Sequence, residues 1–253
     1  MSSLGHLQTG NPAFTMGGTV FDEWARQDVR GTTMTVAGTA SKALVFLAIC
    51  LAGAAYAWRE VAMGPSFGGL VMGASIAGLV LALVTVFMPK WAWLTGSLYS
   101  AAQGVALGAI SRLIDARYPG IALQAVGLTF ATTLAMLMLY TTRVVRVTPG
   151  FQRFVIAATG ALLLVYVLSF VLRLFGVPMP YLHDASPLGL LVSAVAIGLA
   201  AMNLLLDFDY IEGQSERGAP KYLEWYAAFG LMVTLVWLYI EILRLLSKLQ
   251  ERR

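Results

Sequence analysis

Four carboxylates stand where this sequence is otherwise apolar. Asp207, Asp209 and Glu212 follow 22 uncharged residues, Ala185 to Leu206, and Glu241 follows the 16-residue run Trp225 to Ile240. A charged side chain inside a membrane span costs about 2.5 kcal/mol or more on insertion scales unless it finds a partner or water. A carboxylate kept there despite that cost is a candidate for proton or cation chemistry. Two carboxylates brought together in low dielectric cannot both ionise cheaply, so the pair titrates as a unit. Such a pair is a proton-sensitive latch or, because hard cations take oxygen ligands, a cation site.

Asp207 and Glu241 are the two that could meet. If the helix carrying Asp207 continues to about Glu212, Asp207 lies more than one turn inside its end, and Asp209 points roughly 200° away from it. Glu241 lies well inside the last apolar segment, and Arg244 and Lys248 continue its helical face. Glu241 thus has two arrangements open to it, an ion pair with Arg244 or a meeting with Asp207. The meeting carries a geometric condition. A helix starting at Lys221 would put Glu241 about 30 Å along it, far above Asp207. The acids reach one level only if KYLEWYAAF is a separate surface segment and the span begins near Gly230, so a break near Gly230 is expected.

The elements that must hold these groups follow from composition. Of 253 residues, 58% are hydrophobic and 12% charged, about half the charged share of a soluble domain. Five uncharged runs reach spanning length: Val61 to Pro89, Trp91 to Ser111, Tyr118 to Thr142, Phe154 to Leu172, and Ala185 to Leu206. Ala43 to Trp58 and the segment around Glu241 bring the count to seven. The runs are apolar on every side, so they are helices and not strands of a barrel. The predicted fold is all-α, with seven transmembrane helices over residues 41–253. Residues 1–40 read as a flexible tail with a short amphipathic piece, VFDEWARQDVRG. Polar links are expected around Arg112 to Arg117, Arg143 to Arg153, and EGQSERGAPKY. Gly69 and Gly73, like Gly104 and Gly108, have the spacing that lets helix backbones approach closely.

Several function classes are excluded. There is no HExxH or GxxxxGK[ST] motif. Cys50 is the single cysteine, so neither an intrachain disulfide nor a thiolate cluster is possible, and His6 and His183 are too few for a histidine metal site. The chain therefore reads as no enzyme, with no cofactor beyond a transient cation. Its net charge of +4 reflects basic residues between spans and not nucleic-acid binding. Nine Lys and Arg fall on the amino-terminal side and eight on the other, four of these in the last segment, which favours a cytoplasmic amino terminus.

LYSAAQGVALGAIS, LLLDFDYIE and EWYAAFGLMVTLVWLYIEILRLLSKL, together with the amino-terminal GNPAF, resemble the bacterial branch of the transmembrane Bax inhibitor motif family. The resemblance implies six helices around a central seventh in a bacterial inner membrane. It also implies a proton-sensitive calcium leak channel, gated by an acid pair from helices six and seven. Asp207 and Glu241 match those acids, with Glu in place of the family's Asp at 241. Gln103 stands where related sequences often have Glu, and Arg244 substitutes for an arginine that stabilises the pair in some members. Asp209, Arg244 and Gln103 are thus supporting candidates. Partners implied are the lipid bilayer, Ca²⁺ and protons. Two other readings remain: an interaction protein that modulates a membrane protease or stress response, as some relatives do, and a transporter of a small anion or metabolite.

Overall fold

A computed structural model of the chain describes residues 33–60, 67–176 and 184–252. Most of the amino-terminal tail, its amphipathic piece and His183 lie outside the described residues. Seven long helices are present among them: α1 (Val36–Glu60), α2 (Phe67–Phe87), α3 (Ala92–Arg117), α4 (Ile121–Thr141), α5 (Pro149–Leu174), α6 (Pro187–Glu216) and α7 (Leu223–Glu251). A single 3₁₀ turn, Pro89–Trp91, joins α2 to α3.

Local chemistry sets the boundaries. Thr148 and Ser186 cap α5 and α6, their hydroxyls accepting from the backbone N–H of Phe151 and Gly189 at 3.2 and 3.1 Å, each with proline at the first helical position. The expected polar link at Arg112 to Arg117 is instead the last turn and a half of α3. Asp115 on that turn accepts from the backbone N–H groups of Gly120 and Ala122, so it caps α4. Helix α1 begins five residues inside the stretch read as tail. Met34 just before it is buried and donates its N–H to the Ala219 carbonyl at 2.7 Å, tying α1 to the turn between α6 and α7.

Six of the helices are long and apolar enough to cross a membrane; α3 falls short on hydropathy. The reason is visible in α3 itself, which carries Thr95, Ser100 and Ser111. Each of these buried hydroxyls donates to the carbonyl four residues back, so none of the three is left without an acceptor. Gly104 and Gly108 lie against the backbone of α1, where an added Cβ would collide with the carbonyls of Cys50 and Ala54. That pair performs the packing its spacing predicts. Gly69 and Gly73 do not: no described atom lies within 4 Å of where their Cβ atoms would be. The spacing alone is satisfied equally by a helix face turned to lipid.

Helix α7 is the centre. Its Phe229, Met232 and Val236 pack with Phe46 of α1, Val86 of α2 and Tyr99 of α3. One face further round, Leu238 and Ile242 meet Ile121 of α4 and Leu204 of α6, and Trp237 packs against the cluster around Val155 of α5. Half of the most apolar window of α6 and of α7 is buried, against 17% in the other four candidate spans. The arrangement is six helices around a seventh, with α6 the most enclosed of the candidate spans that surround α7.

Candidate functional site

Helices α6 and α7 run antiparallel and share a buried polar seam. At one level the Thr234 hydroxyl donates to Asp207 Oδ2 at 2.6 Å, with Asp207 completely buried. At a second level Lys248 Nζ donates to the Gly189 carbonyl and to Ser193 Oγ, at 2.9 and 3.0 Å. Thr234 and Lys248 are fourteen residues apart on α7, and Asp207 and Ser193 are fourteen apart on α6, so one register holds along the whole contact. Glu241 lies midway between Thr234 and Lys248, level with Ala200. It is therefore about 10 Å along the axis from Asp207, at 1.5 Å per residue.

This corrects the expected geometry. Helix α7 is continuous from Leu223 to Glu251, with no break at Gly230 and no separate surface segment at KYLEWYAAF. The reason is Glu224. Its fully buried carboxylate accepts from Thr35 N and Thr35 Oγ1 at 2.9 and 3.0 Å and pairs with Lys42, so the first turn of α7 is locked against the start of α1. A carboxylate at the amino-terminal end of α1 also meets the positive end of its dipole. With that turn fixed inside the bundle, the helix starts early and carries Glu241 past the level of Asp207.

Glu241 has its own partners. It is 1% exposed, accepts the Tyr166 hydroxyl from α5 at 2.9 Å, and pairs with Arg244 at 3.2 Å. Arg244 Nη1 also donates to the Tyr166 oxygen at 3.1 Å, which closes a three-membered ring of contacts. Of the two arrangements open to Glu241, the structure shows the ion pair with Arg244. Asp209 is half-buried on the other side of α6, in a group with Glu212 and Arg143. Gln103 lies against α2, where an added Cβ on Gly78 would stand 2.7 Å from its Nε2; it fills the α2–α3 contact and is remote from the acids in sequence and partners. Among the described residues no group of three or more His, Cys, Asp or Glu is placed to hold a metal ion.

One turn before Asp207, Asn203 is 1% exposed and donates to Thr159 Oγ1 and the Leu199 carbonyl, at 2.8 and 2.9 Å. Its Oδ1 is buried without a hydrogen-bond partner, which is uncommon for a buried polar atom. Asp207, Asn203 Oδ1 and the hydroxyls of Thr234 and Thr159 are oxygen groups in an otherwise apolar wall. Asn203, Tyr166 and Glu224 were not singled out from sequence. Each had a signal: an amide four residues before an intramembrane acid, a tyrosine in the middle of a span, and an acid in the first turn of the last helix.

Compared with known families, the chain matches the one described as Bax inhibitor 1 like over residues 11–251. The chain belongs to the Bax inhibitor 1 like family. No curated protein matches it. The family match covers every helix described above, the Asp207 and Glu241 levels included. This Bax inhibitor 1 like chain is thus a multi-pass membrane protein in which α6 and α7 carry the buried acids Asp207 and Glu241.

Proposed function

We propose that this protein is a proton-sensitive cation leak pathway of a bacterial inner membrane, with Ca²⁺ as the conducted ion, in which Asp207 and Glu241 act as two separate acids. The observation that carries the reading is their burial at two levels of one seam, each with a hydroxyl donor on a neighbouring element. Protonating either one changes the charge of a site that water does not screen. At the Asp207 level that change falls beside the open acceptor of Asn203, an oxygen environment suited to a hard cation. At the Glu241 level it unbalances the pair with Arg244 and frees the Tyr166 hydroxyl.

The same contacts support the orientation proposed for the chain. Lys42, Arg244 and Lys248 are bonded inside the bundle and no longer count as loop charges. Eight basic residues then remain on the amino-terminal side and six on the other, a balance that supports a cytoplasmic amino terminus. The functional test is Ca²⁺ flux into proteoliposomes as a function of pH. Flux that rises or falls with pH in the native chain, and whose pH dependence is altered in Asp207→Asn and in Glu241→Gln, is the expected result. Flux indistinguishable from empty liposomes, or a pH profile identical in all three, would reject the proposal.

A further inference from the structure

The ring around α7 has a lateral opening. Between α1 and α4 lies a groove of about 850 Å³ whose floor is Leu231, Leu235 and Tyr239 of α7. Its walls run from Val36 to Trp58 on α1, about 33 Å along the helix, the thickness of a bilayer's hydrocarbon core. The hydroxyls that line it are already bonded within the protein: Thr129 and Thr133 to carbonyls of α4, and Ser111 to a carbonyl of α3 and to Tyr239. Such a lining asks for hydrocarbon and offers nothing to a polar solute.

One end of the groove differs. Glu212 lines it there and also lines a second cavity of about 330 Å³, bounded by Arg143, Asp209, Gly213, Glu216 and Arg217. Glu212 is fixed by the Tyr140 hydroxyl and by Arg143 at 2.8 Å. The cup therefore carries guanidinium and carboxylate groups together, with carboxylates in excess by three to two. Arg143 lies two residues beyond the end of α4, and a 21-residue span of about 31 Å ends where hydrocarbon gives way to head groups. An apolar trough ending in a cup of mixed charge is the shape of an amphiphile whose head bears both a phosphate and an ammonium.

Size selects among occupants. A methylene displaces roughly the volume of a water, about 30 Å³, so an acyl chain of about 16 carbons needs on the order of 500 Å³. A transmembrane helix about 10 Å wide and 30 Å long needs roughly 2,400 Å³. The groove fits one to two chains and is far too small to enclose a helix. We propose that the α1–α4 groove holds one amine-bearing zwitterionic phospholipid, its tails against α7, its phosphate at Arg143 and its ammonium facing Asp209 and Glu216.

The test uses the full chain in vesicles of phosphatidylcholine doped with a trace phospholipid carrying a photoreactive tail. The trace lipid is phosphatidylethanolamine, phosphatidylcholine or phosphatidylglycerol, and cross-links are mapped by mass spectrometry. Labelling at Leu47, Val126 and Leu235 is expected to favour phosphatidylethanolamine by roughly tenfold, the worth of one charge-assisted hydrogen bond. The exposed face of α5 at Leu163 and Leu164 should show no head-group preference. Asp209→Asn with Glu216→Gln should abolish the preference while leaving α5 labelling unchanged, and Val126→Trp should reduce groove labelling from all three lipids. Equal groove labelling by the three lipids, a preference for phosphatidylglycerol, or labelling no stronger than on α5 would overturn the proposal. So would a groove labelled in vesicles but silent in native membranes, because a protein segment would then be its occupant.

Discussion

The Thr234 hydroxyl reaches Asp207 at 2.6 Å across the centre of the bundle, and with the bonds of Lys248 to Gly189 and Ser193 it marks the register in which α6 and α7 meet. Removing it leaves a buried carboxylate short of a donor, for which the penalty is about 1–3 kcal/mol. Thr234→Val should therefore lower thermal stability in detergent by about that amount, although it keeps the side-chain shape. Thr234→Ser keeps the donor and should stay near the native midpoint. Equal losses in the two variants would show that packing, and not the hydrogen bond, matters there.

The lock between Glu224 and Lys42 makes a sharper stability prediction. Both groups are largely removed from water, with side-chain exposures of 0% and 16%, so deleting one partner strands the other. Lys42→Met should cost about 3 kcal/mol, read as a fall in the unfolding midpoint and as faster proteolysis near residue 33. Lys42→Met combined with Glu224→Gln should recover part of that loss, because no uncompensated charge remains. A double variant less stable than Lys42→Met alone would contradict the assignment.

Glycine spacing gives the third prediction, with opposite signs at two positions. Gly73→Ala adds a methyl in open space and removes a poor helix former, so it should be neutral or stabilising by up to about 1 kcal/mol. Gly104→Ala must push α3 away from the Cys50 carbonyl and should cost about 1–3 kcal/mol. Thermal unfolding of the two purified variants side by side decides it.

What the sequence made legible, and what it did not, follows from the range of the forces involved. Helix count was readable because charge-free runs are a local property, the central α7 was implied only by the family resemblance, and the acids stood out because charge is rare there. The level of Glu241 was not readable. It depends on where α7 begins, and that is set by Glu224 meeting Thr35 and Lys42 almost two hundred residues away in sequence. A glycine inside a span permits a break, yet Gly230 is buried in a continuous helix. The same limit explains the glycine pairs: spacing identifies a smooth face, and only the fold decides whether a backbone or lipid covers it. Arg244 lay within reach of local reasoning because its partner is three residues away. Tyr166 did not, since α5 meets Glu241 only in the assembled bundle.

The central claim is that Asp207 and Glu241 are two acids at two levels and not one shared pair. A double-mutant cycle on the pH midpoint of Ca²⁺ flux tests it most directly, using the native chain, Asp207→Asn, Glu241→Gln and the double variant in the same proteoliposomes. Sites about 10 Å apart with separate partners are expected to add within about 0.5 kcal/mol, so the double variant should show the sum of the two single shifts. A double variant no different from either single, with a coupling above about 1.4 kcal/mol or one pH unit, would mean that the carboxylates share a proton and would contradict the account.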